Sequence, residues 1–316
     1  MDYWEWEEIA MLKPGVCQPV RYLPIVVLCL AVSLTVSATP SRFFAKAPAV
    51  AAAAADSVAS KDGVNIVYTV EGDGQPALVF VHGWAGNKSF WQPQLDELKK
   101  KYKVVALDLA GHGESGKGRE FYTVEAYAGD VAAVVEKLNL DRVVLIGHSE
   151  GGRICVRAAR VLGDRVIGLI GVDSLQDLNV TYTADQLDRA LKPFKDDFKG
   201  TTTAFVKTLF PEKADPALVA RVASEMAAVL PAVGLSSLRS EALYNVKADL
   251  VGLRLPIRVI NSERFPTILA ENKAIYRNYE MIPVPGVGHF PMLEDPARFN
   301  QLLGGVIADI EAKKTP

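Results

Sequence analysis

Histidine is scarce in this chain, with four in 316 residues, at His82, His112, His148 and His289. Cysteine is scarcer still: Cys17, Cys29 and Cys155 form no C-x-x-C pair, and no spacing of ligand residues reads as a metal site. Those absences exclude a zinc module and a disulfide-framed mini-domain. If the first two cysteines leave with a cleaved leader, Cys155 has no partner. Basic charge is not in excess either, with 35 Lys and Arg against 37 Asp and Glu for a net charge of −2. That balance argues against a nucleic-acid partner, which needs a concentrated basic surface. There is no internal repeat and no heptad run, so neither a solenoid nor a coiled coil is expected. What remains is an ordinary globular composition, 49% hydrophobic and 23% charged, sized for one domain or one domain with an insertion.

The first 60 residues read as something other than that domain. Residues 23–38 are apolar and uncharged, with Arg21 just before them and Val36-Ser37-Ala38 offering small residues for signal peptidase. At 16 residues the run is short of the ~20 a membrane-spanning helix needs, but suits the core of a signal peptide. The acidic start, Trp4-Glu5-Trp6-Glu7-Glu8, is unusual for export; initiation at Met11 gives a leader carrying Lys13 and Arg21. Residues 1–38 are therefore read as a signal peptide, with an uncleaved membrane anchor as the rival. The protein is then exported, periplasmic or secreted, or tethered to the membrane. Residues 39–60, which include five consecutive alanines, read as a linker.

From residue 61 onward strands alternate with helices. Val64–Val70, Ala77–Val81, Lys103–Leu107, Val143–Ile146, Val166–Val172, Ile257–Ile260 and Glu280–Val284 have strand character. Helical patterns cover about 88–101, 123–138, the stretch after Ser149, and Pro296–Lys313. This order predicts an α/β fold, a mainly parallel sheet covered by helices on both faces. Residues 174–255 break the rhythm: they hold amphipathic helical stretches at Asp185–Phe194, Thr203–Leu209 and Pro216–Leu230, and no convincing strand. An excursion of about 80 residues is too long for a loop and must fold as a helical unit. It leaves from the carboxyl end of the strand before Asp173, so it is expected to cover the ligand crevice as a lid; the alternative is a surface appendage.

One turn carries the chemistry. The aliphatic run Val143–Ile146 ends in Gly147-His148-Ser149-Glu150-Gly151, and a helix follows at once. Strand, sharp turn and helix with a serine at the apex describe a nucleophile elbow. The glycines keep side chains out of a crowded turn, and the helix N-terminus offers N–H groups to developing negative charge.

With this turn in place, the chain from about 61 to 316 resembles the α/β-hydrolase-fold superfamily, and within it a serine esterase with a helical lid. The blocks that carry the likeness are His82-Gly83-Trp84, Asp108-Leu109-Ala110-Gly111-His112-Gly113-Glu114-Ser115, the elbow, Asp173 and Gly286-Val287-Gly288-His289-Phe290. The resemblance implies a serine nucleophile, a carboxylate and a histidine in that chain order. Ser149 is then the nucleophile. His82 and His112 fall in segments that, in the superfamily, shape loops near the crevice. The His148 side chain points away from the nucleophile. His289, after the last strand in a Gly-rich loop, is left as the base, a role that suits the side chain whose proton exchanges near neutral pH. The oxyanion hole falls to the backbone N–H groups of Trp84 and Glu150.

The carboxylate is less determined. Many members place it after the strand preceding the histidine strand, where this chain reads Asn261-Ser262-Glu263-Arg264-Phe265. Phe265 stands near the expected acid, and Glu263 comes early. Asp173, at the end of the strand after the elbow helix, is preferred, and Glu263 is the alternative. The Glu150 side chain has two readings: a helix-start carboxylate paired with Arg153 three residues on, or a charge that disfavours anionic substrates.

These residues imply hydrolysis of a carboxylic ester, or of a lactone, thioester or amide, of a small apolar substrate through an acyl-enzyme, without metal or organic cofactor. The alternatives are C–C bond hydrolysis or lyase chemistry on the same residues, and a small-molecule receptor with little turnover. Dehalogenases and epoxide hydrolases normally carry Asp at the position of Ser149. The natural substrate and the oligomeric state are not written in the sequence.

Overall fold

A computed structural model describes residues 56–312. The expected leader, and the linker up to residue 55, lie outside the described residues. Among the described residues no single helix is long and apolar enough to cross a membrane.

Eight strands form one sheet in the order β1-β2-β4-β3-β5-β6-β7-β8. They are β1 (Asp56–Ala59), β2 (Asn65–Glu71), β3 (Ala77–Val81), β4 (Val104–Leu107), β5 (Val143–His148), β6 (Val166–Val172), β7 (Ile257–Ser262) and β8 (Tyr279–Val284). The six from β4 to β8 in that order run parallel, while β1 and β2 are antiparallel additions at one edge. Among the described residues the sheet thus includes Asp56–Ala59, ahead of residue 61. Asp56–Ala59, assigned to the linker by its composition, pairs with Ala59 opposite Asn65.

The period-2 geometry of strands explains why β3 reads as an unbroken apolar run. Ala77, Val79 and Val81 face a core built with Tyr127, Val131, Ile154 and Ala158 of two helices, α2 (Val124–Lys137) and α3 (Glu150–Leu162). Leu78 and Phe80 face the opposite core, with Leu95 of α1 (Gln92–Leu98) and Phe299, Leu303 and Ile307 of α11 (Pro296–Ala312). With both faces covered, every β3 side chain is buried. Burying one such large apolar side chain is worth ~1.5–3 kcal/mol.

The excursion between β6 and β7 is helical throughout: α4 (Ala184–Asp196), α5 (Phe198–Thr208), α6 (Pro216–Met226), α7 (Pro231–Leu243) and α8 (Val246–Leu250). Helix α6 stops short of the expected Leu230, because Pro231 lacks an N–H and starts α7 instead. Helix α7 escaped the sequence pattern because Gly234 and Ser237 interrupt the apolar residues Val233 and Leu238 on its buried face. Gly234 and Ser237 are buried there, and Ser236 and Ser240 accept the backbone N–H groups of Tyr122 and Val124 at 2.9 and 3.0 Å. A short α9 (Leu269–Ile275) was likewise not anticipated, and α10 (Pro291–Glu294) precedes α11.

Chain direction turns about β3 and β5, so the loops leaving their carboxyl ends flank one crevice, the place where ligands bind in such sheets. The elbow there is sterically closed. A Cβ on Gly147 would lie 2.2 Å from the Gly151 carbonyl oxygen, and one on Gly151 would lie 2.6 Å from that of Val81. Gly147→Ala is therefore expected to lose about 1–3 kcal/mol or more by overpacking. Gly304→Ala, in α11 with nothing within 4 Å of the added methyl, should gain up to ~1 kcal/mol from helix propensity. Urea unfolding of the two variants checks both signs.

Candidate active site

Three loops at the carboxyl ends of β3, β5 and β6 carry non-glycine residues at positive φ: Ala85 (52°), Ser149 (53°), Asp173 (41°) and Leu175 (55°). Backbone of this kind costs on the order of 1–3 kcal/mol per residue and persists only where its surroundings enforce it. At Ser149 the enforcement is visible. Its N–H donates to the Val172 carbonyl at 3.0 Å, and its own carbonyl accepts the Ser174 hydroxyl at 2.5 Å. Ser149 is only partly buried, at the start of α3, whereas His148 and Glu150 on either side are buried.

The structure brings His289 to Asp173. The imidazole Nδ1–H donates to Asp173 Oδ2 at 2.5 Å, with both side chains buried. The other carboxylate oxygen accepts the Ser262 N–H at 2.8 Å, so both oxygens of Asp173 are committed. Committing Nδ1 as the donor leaves Nε2 of the neutral ring as an acceptor. Glu263, the alternative acid, is exposed. Phe265, standing where an acid is expected in many relatives, sets its ring edge-on to His289 with centroids 5.9 Å apart.

The His289 loop is held from several sides. Glu294 accepts the N–H groups of Gly288 and Phe290 at 2.8 and 2.9 Å, bracketing the histidine, and the His289 N–H donates to the Leu209 carbonyl at 2.9 Å. The His148 Nε2–H donates to the His289 carbonyl at 2.7 Å, and its ring lies tilted against the His289 ring with centroids 4.6 Å apart. The His148 side chain thus supports the His289 loop, a role that its place before Ser149 did not reveal. Burial drives the His148 pKa well below the usual histidine value, so the ring is neutral. His82 and His112 are buried as well. Burial lowers the pKa of both, that of His112 to about 3. His82 ties its loop to the neighbouring one, with Nε2 accepting the Leu109 N–H at 3.0 Å.

Gly83 and Trp84 lie against the elbow, since a Cβ on Gly83 would sit 2.9 Å from Ser149 Cβ. The Trp84 ring packs edge-on against Phe194, Phe198 and Phe205 of α4 and α5, with centroids 5.6–6.1 Å apart. Its indole N–H donates to the Gly234 carbonyl of α7 at 2.9 Å.

Glu150 departs from both readings made of it. Arg153 pairs with Glu241 of α7 at 3.5 Å, while Glu150 Oε1 accepts the Ser237 hydroxyl at 2.5 Å. Glu150 is 1% exposed. Burial first, then the neighbouring charge of Glu241, pushes its carboxyl up to about 8 against the opposing effects of Ser237 and Arg153. Desolvation outweighs the helix dipole and favours the protonated form. Among the described residues no group of three or more His, Cys, Asp or Glu is placed to hold a metal ion.

Ser237, Ser174, Ser262 and Glu294 were not anticipated as supports. Only Glu294 left a trace, as a carboxylate one helical turn past Phe290 where it can cap the loop's N–H groups.

The model of the Alpha/beta hydrolase family matches residues 78–302, more than two thirds of the chain. The dihydrolipoyllysine-residue acetyltransferase component of the acetoin cleaving system of Cupriavidus necator is 34% identical over 45% of this chain, which spans only 40% of that protein. The AB hydrolase superfamily protein YisY of Bacillus subtilis is 28% identical over 73% of this chain and 91% of its own length. Among solved structures, a putative aryl esterase from Burkholderia cenocepacia superposes with a TM-score of 0.71 at 22% identity, covering 82% of this chain and all of that one. At that identity the likeness speaks for the fold alone.

Between the ordinary glutamate pKa of 4.5 and about 8, folded Glu150 keeps a proton that the unfolded chain has released. The unfolded state therefore binds fewer protons in this window, and stability falls as pH rises through it. Glu150→Gln removes that contribution. Its unfolding free energy, measured by denaturant titration at several pH values, should fall less steeply than the wild type's between pH 5 and 8.

Proposed function

The chain belongs to the alpha/beta hydrolase family, and from that premise we propose that it is a serine hydrolase cleaving carboxylic esters of small apolar molecules. The observation that carries this reading is the buried His289–Asp173 pair at 2.5 Å beside a serine held at φ 53° on the elbow. Ser149 is the nucleophile, His289 the base and Asp173 the group that fixes the imidazole.

Ser149 Oγ attacks the ester carbonyl while His289 Nε2 takes the hydroxyl proton. Asp173 holds Nδ1–H, so the correct nitrogen faces the serine and the imidazolium is stabilised as it forms. Negative charge gathers on the former carbonyl oxygen, where the N–H groups of Trp84 and Glu150 receive it. Collapse breaks the ester C–O bond, and His289 returns the proton to the leaving alcohol. Water then repeats the sequence on the acyl-serine, releasing the acid and restoring Ser149. The helical insertion acts as a lid, and its Trp84-centred aromatic cluster supports an apolar substrate.

A fluorophosphonate probe should label the protein once, at Ser149, and Ser149→Ala should lose both labelling and ester turnover. Removing such a nucleophile costs on the order of 10⁶-fold, so full activity in the alanine variant would end the reading. The acid is tested separately. Asp173→Asn, which takes the acceptor from His289 Nδ1–H, should lower kcat by up to ~10⁴-fold, as the wrong tautomer does in such sites. Glu263→Gln, an exposed change, should leave turnover near wild type; a dead Glu263→Gln beside a normal Asp173→Asn would reverse the assignment.

A further inference from the structure

Helix α7 reaches the candidate site from outside the sheet, yet it bonds to the side chains of both residues whose backbone N–H groups are assigned to the oxyanion hole. The Gly234 carbonyl accepts the Trp84 indole N–H at 2.9 Å, and the Ser237 hydroxyl donates to Glu150 Oε1 at 2.5 Å. Gly234 and Ser237 are one turn apart and so lie on one face of the helix, and both are buried. We propose that α7 is a positioning element for the oxyanion hole, in which Gly234 and Ser237 hold Trp84 and Glu150 at a fixed separation across Ser149. The inference rests on the serine-hydrolase reading and deepens it.

The two donors come from segments far apart in sequence, the loop after β3 and the first turn after β5. Their spacing is therefore not set by local backbone alone. The elbow is fixed by its own packing, whereas the loop holding Trp84 needs a reference point, and α7 provides one common to both. The helix is itself firmly seated. Ser236 and Ser240 accept the N–H groups of Tyr122 and Val124 at the start of α2. Glu241 pairs with Arg153 of α3, the elbow helix, at 3.5 Å. At Gly234 the contact is close, because a Cβ would fall 2.4 Å from the Phe198 ring. A helix packed this tightly transmits position instead of yielding.

Oxyanion donors act mainly on the charge of the transition state, so loosening them should lower kcat and leave KM little changed. A merely structural contact predicts no such split. The full-chain protein, with Ser237→Ala and Trp84→Phe, is assayed on a p-nitrophenyl ester for kcat and KM, and with an alkyl trifluoromethyl ketone, whose serine adduct places an oxyanion in the hole. Each variant removes one of the two bonds while keeping most of the side chain's bulk. Both should lose on the order of 10–100-fold in kcat, the scale of a misplacement near 1 Å; KM should stay within about twofold for Ser237→Ala, while Trp84→Phe, which also trims the aromatic cluster, is judged by kcat and ketone affinity. The trifluoromethyl ketone inhibition constant should rise in parallel. If Ser237→Ala yields no folded protein, Trp84→Phe decides.

Kinetic constants and ketone affinities near wild type, or a loss confined to KM, would overturn the proposal while the serine-hydrolase reading stands. A wild-type protein that turns over no ester and takes no fluorophosphonate would remove that reading and this proposal with it.

Discussion

The backbone at Ser149 is the constraint on which the rest of the site depends. Its φ of 53° is unfavourable for a side chain with a Cβ, and it survives because neighbouring segments leave no alternative. Gly147 and Gly151 let the strand and helix close to within a methyl group of each other, the Val172 carbonyl accepts the serine N–H, and the Ser174 hydroxyl donates to the serine carbonyl. Ser174 follows Asp173, so the residue that braces the elbow is covalently joined to the one that holds His289. Serine and carboxylate positions are thereby coupled by chemistry that needs no long loop.

That coupling gives a physical account of why Asp173 is the acid in the proposed mechanism. Asp173 leaves the strand next to the elbow strand and reaches Nδ1 of His289 directly. The loop after β7, where many relatives carry their acid, serves a different purpose here. Ser262 donates its N–H to Asp173, Asn261 bonds to the backbone of Ser174 through both its amide oxygen and its amide nitrogen, and Phe265 packs against the histidine ring. A carboxylate placed there would compete for the same Nδ1–H, and only one acceptor is needed.

The parallel sheet and the elbow were legible because they depend on local pattern: buried strands read as continuous aliphatic runs, and the turn demands glycine at set positions. That Asp173 and His289 come together was suggested by order along the chain and by position at strand ends, with Glu263 left as an alternative. The contacts between distant segments were not. Helix α7 buries Gly234 and Ser237 beside Val233 and Leu238 and uses its serines as acceptors, so its apolar stripe is broken. Strand β1 hid inside an alanine-rich stretch because an edge strand of four residues gains its stability from pairing with β2, not from its own side chains. Glu150 was misjudged for a related reason. Residue spacing offered Arg153 as a partner, and only the fold shows that Arg153 turns to Glu241.

The protonation of Glu150 resolves a conflict that the sequence poses. In the proposed mechanism an ionised carboxylate directly after Ser149 would place negative charge beside the forming oxyanion, and in a buried site such repulsion is poorly screened. The helix dipole at the start of α3 favours ionisation, but by only ~0.3–1 kcal/mol at an exposed helix end and up to ~2 in partly buried ones. Desolvation acts the other way and is larger for a side chain with 1% of its surface exposed, and the nearby Glu241 adds to it. With burial pushing its carboxyl up, Glu150 favours the uncharged form and accepts a hydrogen bond from Ser237, which in the proposed mechanism leaves its backbone N–H less opposed as charge develops. Burial by α7 is therefore what makes a glutamate tolerable at this position, because the helix that supplies its hydrogen bond also excludes the water that would ionise it.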